Sequence, residues 1–184
     1  MLLIVDNSSS YFTDLVRCLN EIGAKHEIKK HDQLDSCKIN DYDGIILSGR
    51  TGNLKSVNVT NMRLVHFAYE NDRPLLGICY GAEIIALGLN GSLRRLDSRI
   101  IGDHTINVHR NNPLTDKKTL CVFECHGYYI ARLPQEFERV ADSSNCKYEI
   151  IAHNTKQIFG AQFHPEMSKD GRGIMSGFVR LTRH

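Results

Sequence analysis

Three short runs of the chain are apolar throughout, and they limit the fold more than any other feature of the sequence. Leu2-Leu3-Ile4-Val5, Gly44-Ile45-Ile46-Leu47 and Pro74-Leu75-Leu76-Gly77-Ile78 carry no charged or polar side chain. A strand with one wet face alternates apolar and polar residues, whereas a strand buried on both faces does not. Between the runs the spacing becomes helical. Phe12, Leu15, Val16, Leu19 and Ile22 recur at helical spacing, Ser8 to Ser10 offer capping hydroxyls, and Gly23 marks a stop. Asn61 to Glu70, with Leu64, Val65 and Ala68 on its stripe, and Ala82 to Leu89 read as further helices.

Strands alternating with helices require crossover connections, and so an open, mostly parallel sheet with helices on both faces. From about Thr105 few helical signals remain. Thr105 to Arg110, Thr119 to Cys125, Phe137 to Asp142, Tyr148 to His153 and Ile158 to His164 read as short strands. A small antiparallel extension is therefore expected, closed by a helix at Gly171 to Leu181. The expected fold class is α/β, with residues 1–184 as a single domain.

Several function classes drop out on composition. No apolar run approaches the roughly 18 to 20 residues of a membrane span. Met1 to Asp6 lack the basic start and cleavage site of a signal peptide, so a cytoplasmic location is expected. With 23 basic and 21 acidic residues the net charge is +2, which gives no case for nucleic-acid or membrane binding. The six cysteines (18, 37, 79, 121, 125 and 146) are expected as free thiols. Cys121, Cys125 and His126 make half a metal site with no second pair, so no metal is expected. On a strand Cys121, Phe123 and Cys125 share one face and are expected to pack as small hydrophobes.

Cys79 carries the chemistry. It sits in Gly77-Ile78-Cys79-Tyr80-Gly81 between a buried strand and a helix. A sharp strand-to-helix turn strains the residue at its apex and needs small neighbours two positions away, the logic of a nucleophile elbow. Such a turn lifts the side chain above the C-terminal edge of the sheet, where open α/β sheets bind ligands. The helix N-terminus beside it favours thiolate. A thiol nucleophile also needs a base and an orienting partner. In Gln162-Phe163-His164-Pro165-Glu166, Pro165 biases His164 towards extended backbone, where residues two apart share a side, so Glu166 can hold the imidazole. His126 is the second candidate base.

Gly-Ile-Cys-Tyr-Gly-Ala-Glu at residues 77–83, followed about 85 residues on by Gln-Phe-His-Pro-Glu, resembles the class I (triad) glutamine amidotransferases. The first strand and Ile45-Ile46-Leu47-Ser48-Gly49 fit as well, so the resemblance covers nearly the whole chain. It implies a flavodoxin-like sheet and a triad of Cys79, His164 and Glu166 acting on L-glutamine. It also implies an oxyanion hole from the backbone of Gly49, Arg50 and Tyr80, with Glu83, Gly127 and Tyr128 beside the substrate. Cys125-His126-Gly127, Leu133-Pro134, Phe137 and Ala141 to Cys146 are similar to the amidotransferase part of GMP synthetases. Since 184 residues leave no room for an ATP-pyrophosphatase domain, the separate small subunit of a two-chain, archaeal-type enzyme is expected. A synthetase partner would hold ATP and magnesium and convert XMP to GMP, and this chain would carry no cofactor.

Three positions depart from the family pattern. Arg50 stands where a second glycine is common, Glu83 where glutamine is usual, and Tyr128 where an acid is frequent. A glycine-only backbone at Arg50 would cost about 1 kcal/mol or more. A carboxylate at Glu83 would oppose thiol ionisation. Other readings of the same residues are the amidotransferase component of another synthetase such as anthranilate synthase, a stand-alone γ-glutamyl thiol hydrolase, and a redox-sensing module. The intact His164-Pro165-Glu166 counts against the last.

Overall fold

Each of the three apolar runs is a strand of one sheet. The protein is described by a computed structural model covering residues 1–36 and 39–182, so Cys37 lies outside the described residues. The strands are β1 (Leu2–Asp6), β2 (His26–Lys30), β3 (Gly44–Leu47), β4 (Leu75–Ile78), β5 (Ser92–Val108), β6 (Thr119–Arg132), β7 (Phe137–Asp142), β8 (Ile150–His153) and β9 (Ile158–Ala161). The helices are α1 (Phe12–Glu21), α2 (Lys55–Glu70), α3 (Tyr80–Gly88) and α4 (Lys169–Leu181). Among the described residues the sheet order is β2-β1-β3-β4-β9-β8-β7-β5-β6. From β2 to β9 neighbours run parallel; beyond β9 every pairing is antiparallel. None of the described helices is long and apolar enough to cross a membrane.

The alternation of side chains along a strand divides the core in two. Leu2 and Ile4 of β1 join Leu15 and Leu19 of α1 and Ile174 and Phe178 of α4 on one face. Leu3 and Val5 join Leu64 and Val65 of α2 and Ile84 and Ile85 of α3 on the other. This is why β3, β4 and β1 as far as Val5 carry no polar side chain: each contributes to both layers.

Helix α2 starts at Lys55 rather than Asn61 and β6 runs on to Arg132 rather than ending at Cys125, and two further elements depart from the sequence expectation. His26–Lys30 forms an edge strand beside β1, although His-Glu-Ile-Lys-Lys carries no apolar run. Its outer edge faces water, so charged side chains cost nothing there and discourage edge-to-edge pairing. The second is β5, which starts at Ser92 rather than near Thr105 and pairs with β6 as a long hairpin. The ladder breaks between Arg95 and Ile100, and residues 96–99 bulge out of it.

The face shared by Cys121, Phe123 and Cys125 is not the core face of β6. Leu120, Val122, Glu124 and His126 are the buried set, while Cys121 is exposed and Cys125 half-buried. A cysteine's ordinary preference for burial gives way to the register, because Leu120 and Val122 are larger apolar anchors of the same strand. That register carries a glutamate and a histidine into the interior.

Candidate active site

The C-terminal ends of three adjacent strands converge. β4 ends at Cys79, its neighbour β3 runs into Ser48-Gly49-Arg50, and β9 on its other side leads to His164. Cys79 adopts φ 50°, ψ −105°, the strained turn of an elbow. Its neighbours must be glycine. A Cβ on Gly77 would stand 2.3 Å from the Gly81 carbonyl, and one on Gly81 would stand 2.3 Å from the Leu47 carbonyl. The Cys79 N–H donates to the Ala161 carbonyl at 2.7 Å, tying the elbow to β9.

His164 Nδ1 lies 2.8 Å from Glu166 Oε1, and both side chains are buried. A carboxylate can only accept, so Nδ1 carries the hydrogen, and in the neutral imidazole Nε2 is left with a lone pair. The pairing is reached differently from the sequence argument. His164 is extended, but Glu166 sits in a short 3₁₀ turn, Pro165–Met167, and that turn brings its carboxylate back to the ring. His164 also lies beyond β9, where its N–H donates to the Phe123 carbonyl at 2.8 Å. Tyr11 packs tilted against the imidazole with centroids 4.5 Å apart and planes at 60°, and Gly49 leaves room for the ring of His164: a Cβ there would stand 2.9 Å from its Cε1.

A cleft of about 430 Å³ opens over the thiol, lined by Arg50, Cys79, Tyr80, Glu83, Arg99 and residues 125–128 among others. Burial holds the Cys79 thiol well above its ordinary range, with Glu83 as the next cause. The Tyr80 N–H pulls the other way but does not win. The N–H at the helix start does favour the thiolate, but desolvation of the buried sulfur outweighs it. The free site holds a thiol and needs a base.

Arg50 is not among the described residues with positive φ, so it occupies its position without the penalty a glycine-only conformation would bring. Its guanidinium stacks on the Tyr80 ring at 3.9 Å and donates to Asn58, which also accepts from the Tyr80 hydroxyl at 2.9 Å. Glu83 is buried, which raises its pKa, and Oε1 accepts from Gln162 Nε2 at 3.3 Å. Gly127 and Tyr128 line the cleft, with Tyr128 largely exposed at its rim.

His126 does not serve as a second base. Its Nδ1 is 2.7 Å from the Tyr128 carbonyl and its Nε2 is 3.1 Å from Glu124, so neither nitrogen is free for the thiol. Sequence reasoning missed Tyr11 and Arg99. Tyr11 immediately precedes α1 at the active edge, a position the fold alone could have marked. Arg99 lies in the bulge of β5, for which the sequence carries no periodic signal. Among the described residues no group of three or more His, Cys, Asp or Glu side chains is arranged to hold a metal ion.

A family model for class-I glutamine amidotransferases matches residues 3–179. The chain belongs to that family. Membership makes it an enzyme of the glutamine-hydrolysing amidotransferase class. A glutamine-hydrolysing GMP synthase of Aliivibrio fischeri is 30% identical over 97% of this chain and 35% of its own length. One from Alteromonas mediterranea is 31% identical over 97% of this chain and 36% of its own. The chain therefore spans about a third of the length of these relatives. Among solved structures, a protein named as a GMP synthase subunit from Thermoplasma acidophilum superposes with TM-score 0.87 at 28% identity. That match covers 98% of this chain and 92% of that one. A Thermotoga maritima glutamine amidotransferase has TM-score 0.82 at 17% identity, covers 100% of this chain and 98% of that one, and shares the amidotransferase fold.

Proposed function

We propose that this amidotransferase is the glutaminase part of a GMP synthase, with Cys79, His164 and Glu166 as its triad. The observation that carries the reading is a strained elbow thiol with a buried His164–Glu166 pair whose carboxylate lies within electrostatic reach of it. Cys79 Sγ attacks the side-chain amide carbon of glutamine while His164 Nε2 takes the thiol proton. The tetrahedral intermediate collapses by breaking the carbon–nitrogen bond, and His164 gives its proton to the departing ammonia. Water, deprotonated by the same nitrogen, then adds to the γ-glutamyl thioester and releases glutamate and Cys79. Backbone N–H groups of Tyr80 and the Gly49-Arg50 turn receive the oxyanion. Gly127 and Tyr128 bind the α-amino and α-carboxylate groups.

The GMP synthase relatives and the Thermoplasma neighbour support XMP as the eventual acceptor of the ammonia. ATP, magnesium and XMP would be bound by a synthetase partner in a cytoplasmic heterodimer. The test is glutamine hydrolysis by the purified chain, alone and with an XMP-dependent synthetase partner, ATP and magnesium. Docking should raise hydrolysis and couple it to GMP formation, and the synthase component of anthranilate synthase with chorismate should not. Cys79→Ala should abolish turnover, and a glutamine-derived electrophile should label Cys79 alone. Labelling spread over Cys37 or Cys146, or equal activation by both partners, would overturn the assignment.

A further inference from the structure

Three side chains that the triad does not use lie behind the substrate wall with their polar atoms buried. Glu124, His126 and Glu149 are each no more than 2% exposed. Neither oxygen of Glu124, nor Glu149 Oε2, nor His126 Nε2 has a conventional hydrogen-bond partner among the described residues. Yet Nε2 is 3.1 Å from Glu124 Oε2, and Glu149 lies close enough to Glu124 for that neighbour to raise its pKa. Ser143 Oγ donates to Glu149 Oε1 at 2.6 Å.

Counting hydrogens resolves the orphans. The Tyr128 carbonyl can only accept, so the hydrogen of that 2.7 Å contact belongs to His126 Nδ1. A second proton must then lie between Nε2 and Glu124, because two lone pairs do not bond. Glu149, whose pKa is raised by burial and by Glu124, holds a third, which it can donate towards Glu124. With those protons in place the cluster has no net charge, and every close contact within it is a hydrogen bond. A buried acid pair missing one of them would be among the costliest arrangements in the core.

The end of this chain meets the backbone where the sheet ceases to hold it. In the β5–β6 ladder Tyr128 pairs with Arg95 and His126 with Ile100, but Gly127 falls opposite the bulge and has no ladder partner. Gly127 lines the cleft over Cys79. The imidazole bond to the Tyr128 carbonyl spans this gap.

We propose that Glu149, Glu124 and His126 form a proton-filled chain that positions the Gly127-Tyr128 wall for the α-amino and α-carboxylate groups of glutamine. The three are positioning residues for binding, not for the chemical step, and the inference rests on the glutaminase reading above. Other charged groups face the cluster. Glu83 on α3 lies within electrostatic reach of His126, Asp142 at the end of β7 of Glu149, and the buried Cys146 thiol of both glutamates. Burial and the neighbouring Glu124 push the Glu149 carboxyl up to about 9, so the chain keeps its protons through neutral pH.

The test is steady-state glutamine hydrolysis by Glu124→Leu, Glu124→Gln and Glu149→Gln in the full chain, with proton–nitrogen NMR of the imidazoles. Glu124→Leu strands both neighbours and should raise KM about tenfold or more with kcat within about threefold. Glu124→Gln can donate to Nε2 and accept from Glu149, so KM should return to within about threefold of the unaltered chain. The slowly exchanging Nδ1–H of His126 should persist in Glu124→Gln and vanish in Glu124→Leu. In the unaltered chain KM should climb above about pH 9, and Glu149→Gln, a permanent donor, should flatten that rise. Should Glu124→Leu fail to fold, the Glu149→Gln profile still decides. An unchanged KM in Glu124→Leu, or an alkaline rise that survives Glu149→Gln, would overturn the inference while leaving the glutaminase reading standing. Absence of glutamine turnover in the unaltered chain would overturn the glutaminase reading, and the inference with it.

Discussion

Among the described residues there are two buried histidine–glutamate pairs with the same two-residue spacing, Glu124 with His126 and His164 with Glu166, and their ring nitrogens are occupied differently. At His164 the carboxylate occupies Nδ1 and leaves Nε2 with its lone pair. At His126 a backbone carbonyl occupies Nδ1, and Glu124, with Glu149 within its electrostatic reach, faces Nε2. A general base needs one nitrogen held and the other free. Spacing alone does not separate the two pairs. What the second nitrogen faces does.

Replacing each histidine in turn gives the largest expected contrast. His164→Ala should lower kcat by about a thousandfold or more, because the thiol then has no acceptor for its proton. His126→Ala should leave kcat within about tenfold and act mainly on KM. A comparable fall in kcat for both would erase the distinction between the pairs, and single-turnover acylation of Cys79 would show which step had failed.

The carboxylates come next. Glu166→Gln keeps the shape but lets the amide donate towards Nδ1, favouring the wrong tautomer, so kcat should fall by about 10²- to 10⁴-fold. Turnover within a few-fold of the unaltered chain would mean that Glu166 holds the 3₁₀ turn rather than the imidazole.

How much of this was legible in the sequence follows from where each element gets its stability. β1, β3 and β4 were legible because a strand buried on both faces cannot hide its composition. The elbow was legible because Gly77 and Gly81 answer to steric contacts that no side chain survives. The His164–Glu166 pairing was also readable, although it is made by a turn and not by an extended segment. β2 was not, since an edge strand needs no apolar signature. The role of His126 was not either. It depends on Glu149, which reaches Glu124 only because the antiparallel half folds β8 back against β7 and β9. Local pattern carries no record of which distant carboxyl closes a network.

Stability against pH offers a smaller but cleaner contrast. A carboxyl whose pKa is raised on folding takes up a proton as the chain folds. The contribution of Glu149 is therefore most favourable below the ordinary carboxylate pKa. It falls as pH climbs towards about 9, and is flat beyond that. One proton sets a ceiling of about 1.4 kcal/mol per pH unit on that decline. Glu149→Gln should remove the decline between about pH 5 and 9, read as converging urea midpoints at low pH and a higher midpoint for the variant at high pH. Parallel curves would mean that Glu149 is ionised in the folded protein and that the chain behind His126 is incomplete.

The smallest effect concerns Glu83, which lies within electrostatic reach of both the Cys79 thiol and His126. Its charge raises the Cys79 thiol pKa, while His126 and Arg50 lower the pKa of Glu83 itself. Glu83→Gln removes a negative charge beside the sulfur and keeps a side chain able to bond with Gln162. Thiolate absorbance should then appear at lower pH than in the unaltered chain. The shift has a limit, because burial is the larger cause and the substitution leaves it in place; the thiol should still titrate above the ordinary cysteine range. Combining Glu83→Gln with Glu124→Leu sharpens the comparison further. If the His126 network acts on the thiol only through Glu83, Glu124→Leu should move the titration in the Glu83 background and leave it unmoved once residue 83 is neutral. A shift of equal size in both backgrounds would show that the two histidine–glutamate pairs communicate by another route, such as displacement of the Cys125 carbonyl that lies 3.8 Å from the sulfur.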